Sequence, residues 1–111
     1  MLDSGNIHDG GIVMHAQVVR IKLQPGKADQ AAEIFTSSIL PAVQDREGFQ
    51  VAYFLIDREG DEAIGFAAYD TKEQLEAVVS SGFYQEQVAK LADVVAGPPD
   101  RKVYEVAASS S

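Results

Sequence analysis

The side chains that stand out as candidates for chemistry are tyrosines, a histidine and an amide, because thiols and the familiar metal-binding and nucleophile motifs are missing. None of its 111 residues is a cysteine, which excludes disulfides, thiolate metal sites and thiol nucleophiles. The four tyrosines, Tyr53, Tyr69, Tyr84 and Tyr104, carry phenolic hydroxyls that donate to an oxyanion or a peroxide. His15 and Gln17 stand two apart on an extended segment and so share one face, where they can orient or shuttle a proton. The other histidine, His8, lies in a polar, glycine-rich stretch. His8-Asp9 is too sparse for a metal site, which needs three or four convergent ligands. The chain has no P-loop, dinucleotide glycine fingerprint, zinc-protease helix or nucleophile elbow. Each candidate also has a plainer reading. A half-buried sheet tyrosine commonly anchors packing with its hydroxyl at the rim, and a lone histidine at a strand end is more often a rim hydrogen-bonder than a catalyst. Asp57, Glu59, Asp61 and Glu62 read as a solvated hairpin tip.

These residues need a scaffold. A length of 111 residues fits one domain with a real core. The net charge of −8 argues against a nucleic-acid or anionic-lipid surface. No apolar run reaches membrane-spanning length, and the first residues lack the basic-then-apolar order of a signal peptide. A cytoplasmic location is therefore expected. Residues 1–13 read as a flexible extension, 14–108 as the domain and 109–111 as a tail.

Alternation predicts a first strand over 14–23, ended by Pro25-Gly26. Helical spacing of Ala28, Ala32, Phe35, Ile39 and Val43 predicts one helix to about Arg46, kinked at Pro41. Strands over 49–57 and about 62–69 form a hairpin. Asp70 or Thr71 caps a second helix, since each has a Glu or Gln three residues on. Ser80-Ser81-Gly82 interrupts that helix, as a plain break or as a pocket rim. Helical spacing then resumes through Tyr84, Val88, Leu91 and Val95, and a last strand runs over about 102–108. The order βαββαβ predicts an α+β ferredoxin-like sandwich, a four-stranded antiparallel sheet with both helices on one face.

The face left bare should then be polar, and it is not. Phe49, Val51, Tyr53 and Leu55 alternate with Ala52, Phe54 and Ile56, and Ile64, Phe66 and Ala68 with Ala63, Gly65, Ala67 and Tyr69. Leaving about 500 Å² of that second face wet would forgo roughly 12 kcal/mol of burial, an upper bound. A second copy of the same sheet is the simplest cover, so a homodimer is expected.

Several segments resemble the antibiotic biosynthesis monooxygenase-like family, whose members are dimeric α+β barrels. They are Leu23-Gln24-Pro25-Gly26-Lys27, the passage from Pro41 to Glu47-Gly48-Phe49, Tyr69-Asp70-Thr71-Lys72-Glu73-Gln74-Leu75, and Ser81-Gly82-Phe83 with Gly97-Pro98. Together they span about residues 14–107. The haem-degrading branch carries Asn, Trp and His where this chain has Val19, Tyr69 and Gly82, so the resemblance does not extend to haem breakdown. What it does imply is oxidation of a small aromatic or quinol-type substrate without metal, flavin or other cofactor. Such a reaction relies on the substrate's electron-rich ring and a dry aromatic pocket. Tyr69, His15 and Gln17 are then the catalytic candidates, and Phe66, Phe83, Tyr84 and Phe35 the substrate-pocket candidates. The competing reading is a non-catalytic module that holds a small apolar ligand; a third is a stress-related protein whose dimer surface matters most.

Overall fold

A computed structural model describes residues 13–110 of the chain. The extension expected over 1–13 therefore lies outside the described residues except for Val13, as does Ser111 of the tail. Four strands, β1 (His15–Lys22), β2 (Phe49–Asp57), β3 (Glu62–Tyr69) and β4 (Asp100–Glu105), form one sheet in the order β2-β3-β1-β4. All neighbours are antiparallel. This is the ferredoxin-like α+β sandwich, with its helical segments in the two crossovers.

The core settles which face of β1 looks inward. Val19 and Ile21, with Leu23 just beyond the strand, are buried with Ala63, Ala67 and Tyr69 of β3 beneath helical residues such as Ala31, Val43, Leu75 and Val78. In β2 the expected alternation fails at one end. The register slips between Phe49 and Val51, so Phe49 pairs with Tyr69 and meets its ring edge-on at 6.1 Å. The bulge moves Phe49 to the helix side, away from Tyr53 and Leu55. The extra residue, Gln50, donates from its amide to the Asp70 carboxylate.

The helix expected from Ala28 to about Arg46 is three pieces. They are α1 (Ala28–Ile34), a π-helical turn (Phe35–Ile39) and α2 (Leu40–Gln44). Pro41 has no N–H to donate, and its ring crowds the turn before it. Widening that turn relieves the crowding, and the Leu40 N–H reaches back to the Phe35 carbonyl. The wide turn brings Phe35 over β2, where it stacks on Phe54 with centroids 4.7 Å apart.

Thr71, rather than Asp70, caps α3 (Lys72–Ser80). Its hydroxyl accepts from the Gln74 N–H, and the Gln74 side chain accepts from the Thr71 N–H, each at 3.1 Å. Gly82, at φ 86°, then separates α3 from α4 (Phe83–Ala89). The helix does not continue to Val95 as expected. Turns follow Ala89 and still bury Leu91 and Val94. This segment is tied to β1 by Gln24 N–H to the Val94 carbonyl and Ala96 N–H to the Lys22 carbonyl, both 2.8 Å. β4 begins and ends earlier than expected, which brings Arg101 into register opposite Val19. Among the described residues no helix is long and apolar enough to cross a membrane.

Candidate functional site

Small side chains on the sheet leave room under large ones on the helices. Ala52, Gly65 and Ala67 form a low floor, while Phe35 and Ile39 of the π-helical turn and Phe83, Tyr84 and Val88 around α4 form the walls. The space between is an apolar cavity of about 590 Å³, counting its mouth. Polar side chains reach it at few places: Gln17 on β1, Tyr69 at the end of β3, and Tyr84 and Gln87 on α4. No charged side chain and no histidine lines it.

Beside Gln17 and Tyr84 lies a cation. Arg101, paired with Val19 across the sheet, shares the helix-facing side of β4. Its Nε donates to Gln17 Oε1 at 2.7 Å, and its guanidinium carbon sits 5.3 Å from the centroid of the Tyr84 ring. Its Nη2 is buried and has no hydrogen-bond partner among the described residues. Burial pulls the Arg101 pKa below the ordinary arginine value, opposed by Tyr84, Glu76 and Tyr69. Burial pushes the Tyr69 phenol up, with Arg46 and Arg101 pulling the other way. Tyr84 is likewise raised by burial, eased by Arg101 and reinforced by Asp100. Both phenols therefore stay protonated donors at neutral pH. Arg46 also holds the corner between α3 and α4. It lies 4.4 Å from the Phe83 ring centroid and donates to Ser81 Oγ at 3.3 Å.

The cavity gathers six of the seven residues singled out from sequence: Tyr69, Gln17, Phe35, Phe66, Phe83 and Tyr84. Phe66 does so from the sheet, where register sets its side chain on the opposite face with Val18 and Tyr53, the latter ring 6.0 Å away. The seventh needs correction. His15 shares the inner face with Gln17 but begins the strand and does not line the cavity. Its Nδ1–H donates to the Val13 carbonyl at 2.8 Å, so the ring is committed to backbone. Two residues escaped the sequence reading. Arg101 was excluded by starting the last strand at 102; its signal is that it stands two before Val103, on the same face. Gln87 interrupts the apolar stripe of Tyr84, Val88 and Leu91, a polar residue on a helix face that should be buried.

Among reviewed sequences, the Mycobacterium tuberculosis protein Rv2557, itself uncharacterized, is 32% identical over 56 residues. That match covers 50% of this chain, and the chain spans only about 25% of that relative's length. No family model matches the chain. Solved structures cover it far better. NE2512 of Nitrosomonas europaea, of unknown function, superposes with a TM-score of 0.72 at 22% identity over 92% of this chain and 97% of its own. A monooxygenase from the ActVA-Orf6 gene of Streptomyces coelicolor, solved with the ligand nanaomycin D, gives 0.71 at 15% identity over 91% and 93%. A Caulobacter crescentus protein provisionally named an antibiotic biosynthesis monooxygenase gives 0.68 at 18% identity over 86% and 91%. The chain thus has the fold of the antibiotic biosynthesis monooxygenase-like proteins.

Proposed function

We propose that the protein is a cofactor-independent monooxygenase of a small phenolic or quinol-type aromatic, bound as its anion between the helices and the sheet. The observation that carries this reading is Arg101 Nη2, a buried cationic donor without a partner, set behind the Gln17 and Tyr84 side chains that line the apolar cavity. An unsatisfied buried donor costs about 1–3 kcal/mol, more when charged. A ligand oxyanion that reaches Arg101 past Gln17 and Tyr84 would remove that cost, and Gln17, which lines the cavity, already holds the guanidinium by its Nε.

No carboxylate or imidazole lines the cavity to act as a base. The substrate must therefore ionise through its own acidity, helped by Arg101, which favours its anion. The electron-rich anion passes one electron to dioxygen, and the radical pair joins as a ring-bound peroxide. Protonation and loss of water leave a carbonyl, so that CH2 and O2 become C=O and H2O with no external reductant. The phenols of Tyr69 and Tyr84 donate to the developing peroxide, and the apolar walls keep water from the intermediates. The Streptomyces monooxygenase of this fold, solved with nanaomycin D, supports an aromatic ligand.

The test is oxygen uptake with a panel of anthrones and quinols. Turnover that is lost in Arg101→Met and partly kept in Arg101→Lys supports the reading; no uptake with any of them overturns it. A second reading, a non-catalytic carrier of the same ligands, is favoured by the missing base. Tight binding without oxygen uptake would select it.

The same proposal includes a homodimer closed through the outer sheet face, in the cytoplasm. Tyr53, Leu55 and Tyr104 are about half exposed there. Arg20, Lys22, Glu62, Asp100 and Lys102 surround them by register, a rim of both signs that suits a self-complementary interface.

A further inference from the structure

Gln87 is 8% exposed, the one buried amide side chain among the described residues, and it lines the cavity from α4. Its Oε1 accepts from Lys90 Nζ at 2.8 Å, and the same ammonium donates to the main-chain carbonyl of Ser38, in the π-helical turn, at 3.0 Å. An ammonium has only donors, so the atom facing Lys90 must be the amide oxygen. The orientation of the amide is thus fixed from outside the cavity. No hydrogen bond from its Nε2 to a described residue is seen. Nε2 is not sealed off and unpartnered, as Arg101 Nη2 alone is among the described residues.

Tyr84, against Arg101, stands one helical turn before Gln87, about 4.5 Å along the axis. The cavity therefore has two polar poles. One is formed by Gln17 and Tyr84 and backed by the Arg101 cation, and the other lies where α4 meets the π-helical turn and is a neutral amide.

Resting on the reading of Arg101 above, we infer that Gln87 is a specificity-determining residue, oriented by Lys90 to donate to a second oxygen of the ligand. The fitting ligand is a flat ring system with an ionised oxygen at one side and a carbonyl at the other. A ligand with only the anionic oxygen covers the Gln87 amide without giving it a partner, and a polar group left unpaired on ligand binding is what discriminates such ligands.

The experiment compares two anionic probes of similar size by calorimetry on the full chain. One is 2-hydroxy-1,4-naphthoquinone, which has the distant carbonyl, and the other is 2-naphthoate, which lacks it. The wild-type protein should prefer the quinone. Gln87→Leu should weaken the quinone roughly tenfold and leave 2-naphthoate almost unchanged. Lys90→Met, which lets the amide turn, should lose part of the preference, and Lys90→Arg should keep it. A purely structural clasp between α4 and the π-helical turn would move both probes together, so an unchanged affinity ratio in Gln87→Leu overturns the inference while sparing the Arg101 reading. If the wild-type protein binds neither anion, the Arg101 reading falls and this one with it.

Discussion

The two faces of the sheet are both apolar, yet they present opposite problems. The helix-facing side carries small residues at its centre, Ala52, Gly65 and Ala67, and keeps a void under the helices. A few polar side chains converge on that void, and behind two of them, Gln17 and Tyr84, stands a cation whose hydrogen bonding is incomplete. The outer side carries Val18, Ile64, Phe66, Tyr53, Leu55 and Tyr104, filled outward rather than hollow, with its charges at the margin. A concave apolar surface with one unsatisfied donor suits a small molecule. A broad apolar surface rimmed by both signs suits a macromolecule, most simply the same surface on a second chain. Hydrophobicity alone does not tell a ligand site from an interface; the size of the side chains and the placement of the polar atoms do.

The largest effect should come from charging the outer face. Leu55→Asp puts a carboxylate in the middle of the proposed dimer surface while its strand neighbours on the inner face keep their packing. Sedimentation should show a full shift to monomer at micromolar concentration, with the ligand affinity of the cavity largely kept if the faces work independently. A wild-type protein already monomeric under these conditions would break the contrast, leaving the outer face without a second copy. Next is Arg101→Met, which removes a charge-assisted contact worth about 1.5–3 kcal/mol. Binding of an anionic naphthol derivative should weaken roughly 10–100-fold with no change in oligomeric state.

These two residues were not equally legible. Simple alternation puts Leu55 on one face with Tyr53, and the structure keeps that pairing because β2 beyond its bulge and all of β3 hold strict period two. Which face meets the helices is decided only by packing. Phe49 was misplaced by the same logic, since a one-residue bulge is a matter of pairing and not of composition. The π-helical turn was legible as a kink at Pro41, but the widening that places Phe35 on Phe54 was not, because propensity says nothing of how a helix relieves a clash. Arg101 was invisible for a different reason. A strand's end is set by its neighbours' hydrogen bonds, and a shift of two residues moved Arg101 from a loop onto the inner face. The candidate site was thus half readable: its aromatic walls follow from helical and strand spacing, while its cation depends on register.

A smaller effect separates the faces by pH. Burial raises the Tyr69 phenol, so the folded state holds that proton more tightly than the unfolded one. The sign follows. As pH rises past the ordinary tyrosine value near 10, the unfolded chain ionises first and stability falls until the folded-state value is reached. Tyr69→Phe should flatten that alkaline loss in thermal melts from pH 9 upward, while Tyr53→Phe on the outer face leaves it in place. An unchanged alkaline slope in Tyr69→Phe would show that its hydroxyl is solvated rather than held in the cavity.

The finest test lies at Gly65, on the floor of the cavity. A methyl group added there meets no atom within 4 Å, and the backbone is not in the left-handed region. Glycine in a strand interior costs entropy that alanine does not, so Gly65→Ala should stabilise the fold by about 0.5–1 kcal/mol. The same methyl group enters the space a ligand needs, so affinity for a bicyclic anion should fall slightly as stability rises. Gly82→Ala also meets open space, but there φ is 86° and the substitution should destabilise. If Gly65→Ala raises stability and leaves ligand affinity untouched, the ligand does not rest on β3, and the floor of the site must be sought nearer β1 and β4. The small residues at the centre of the inner face would then be spacing for the helices, and the cation at Arg101 alone would mark where a ligand sits.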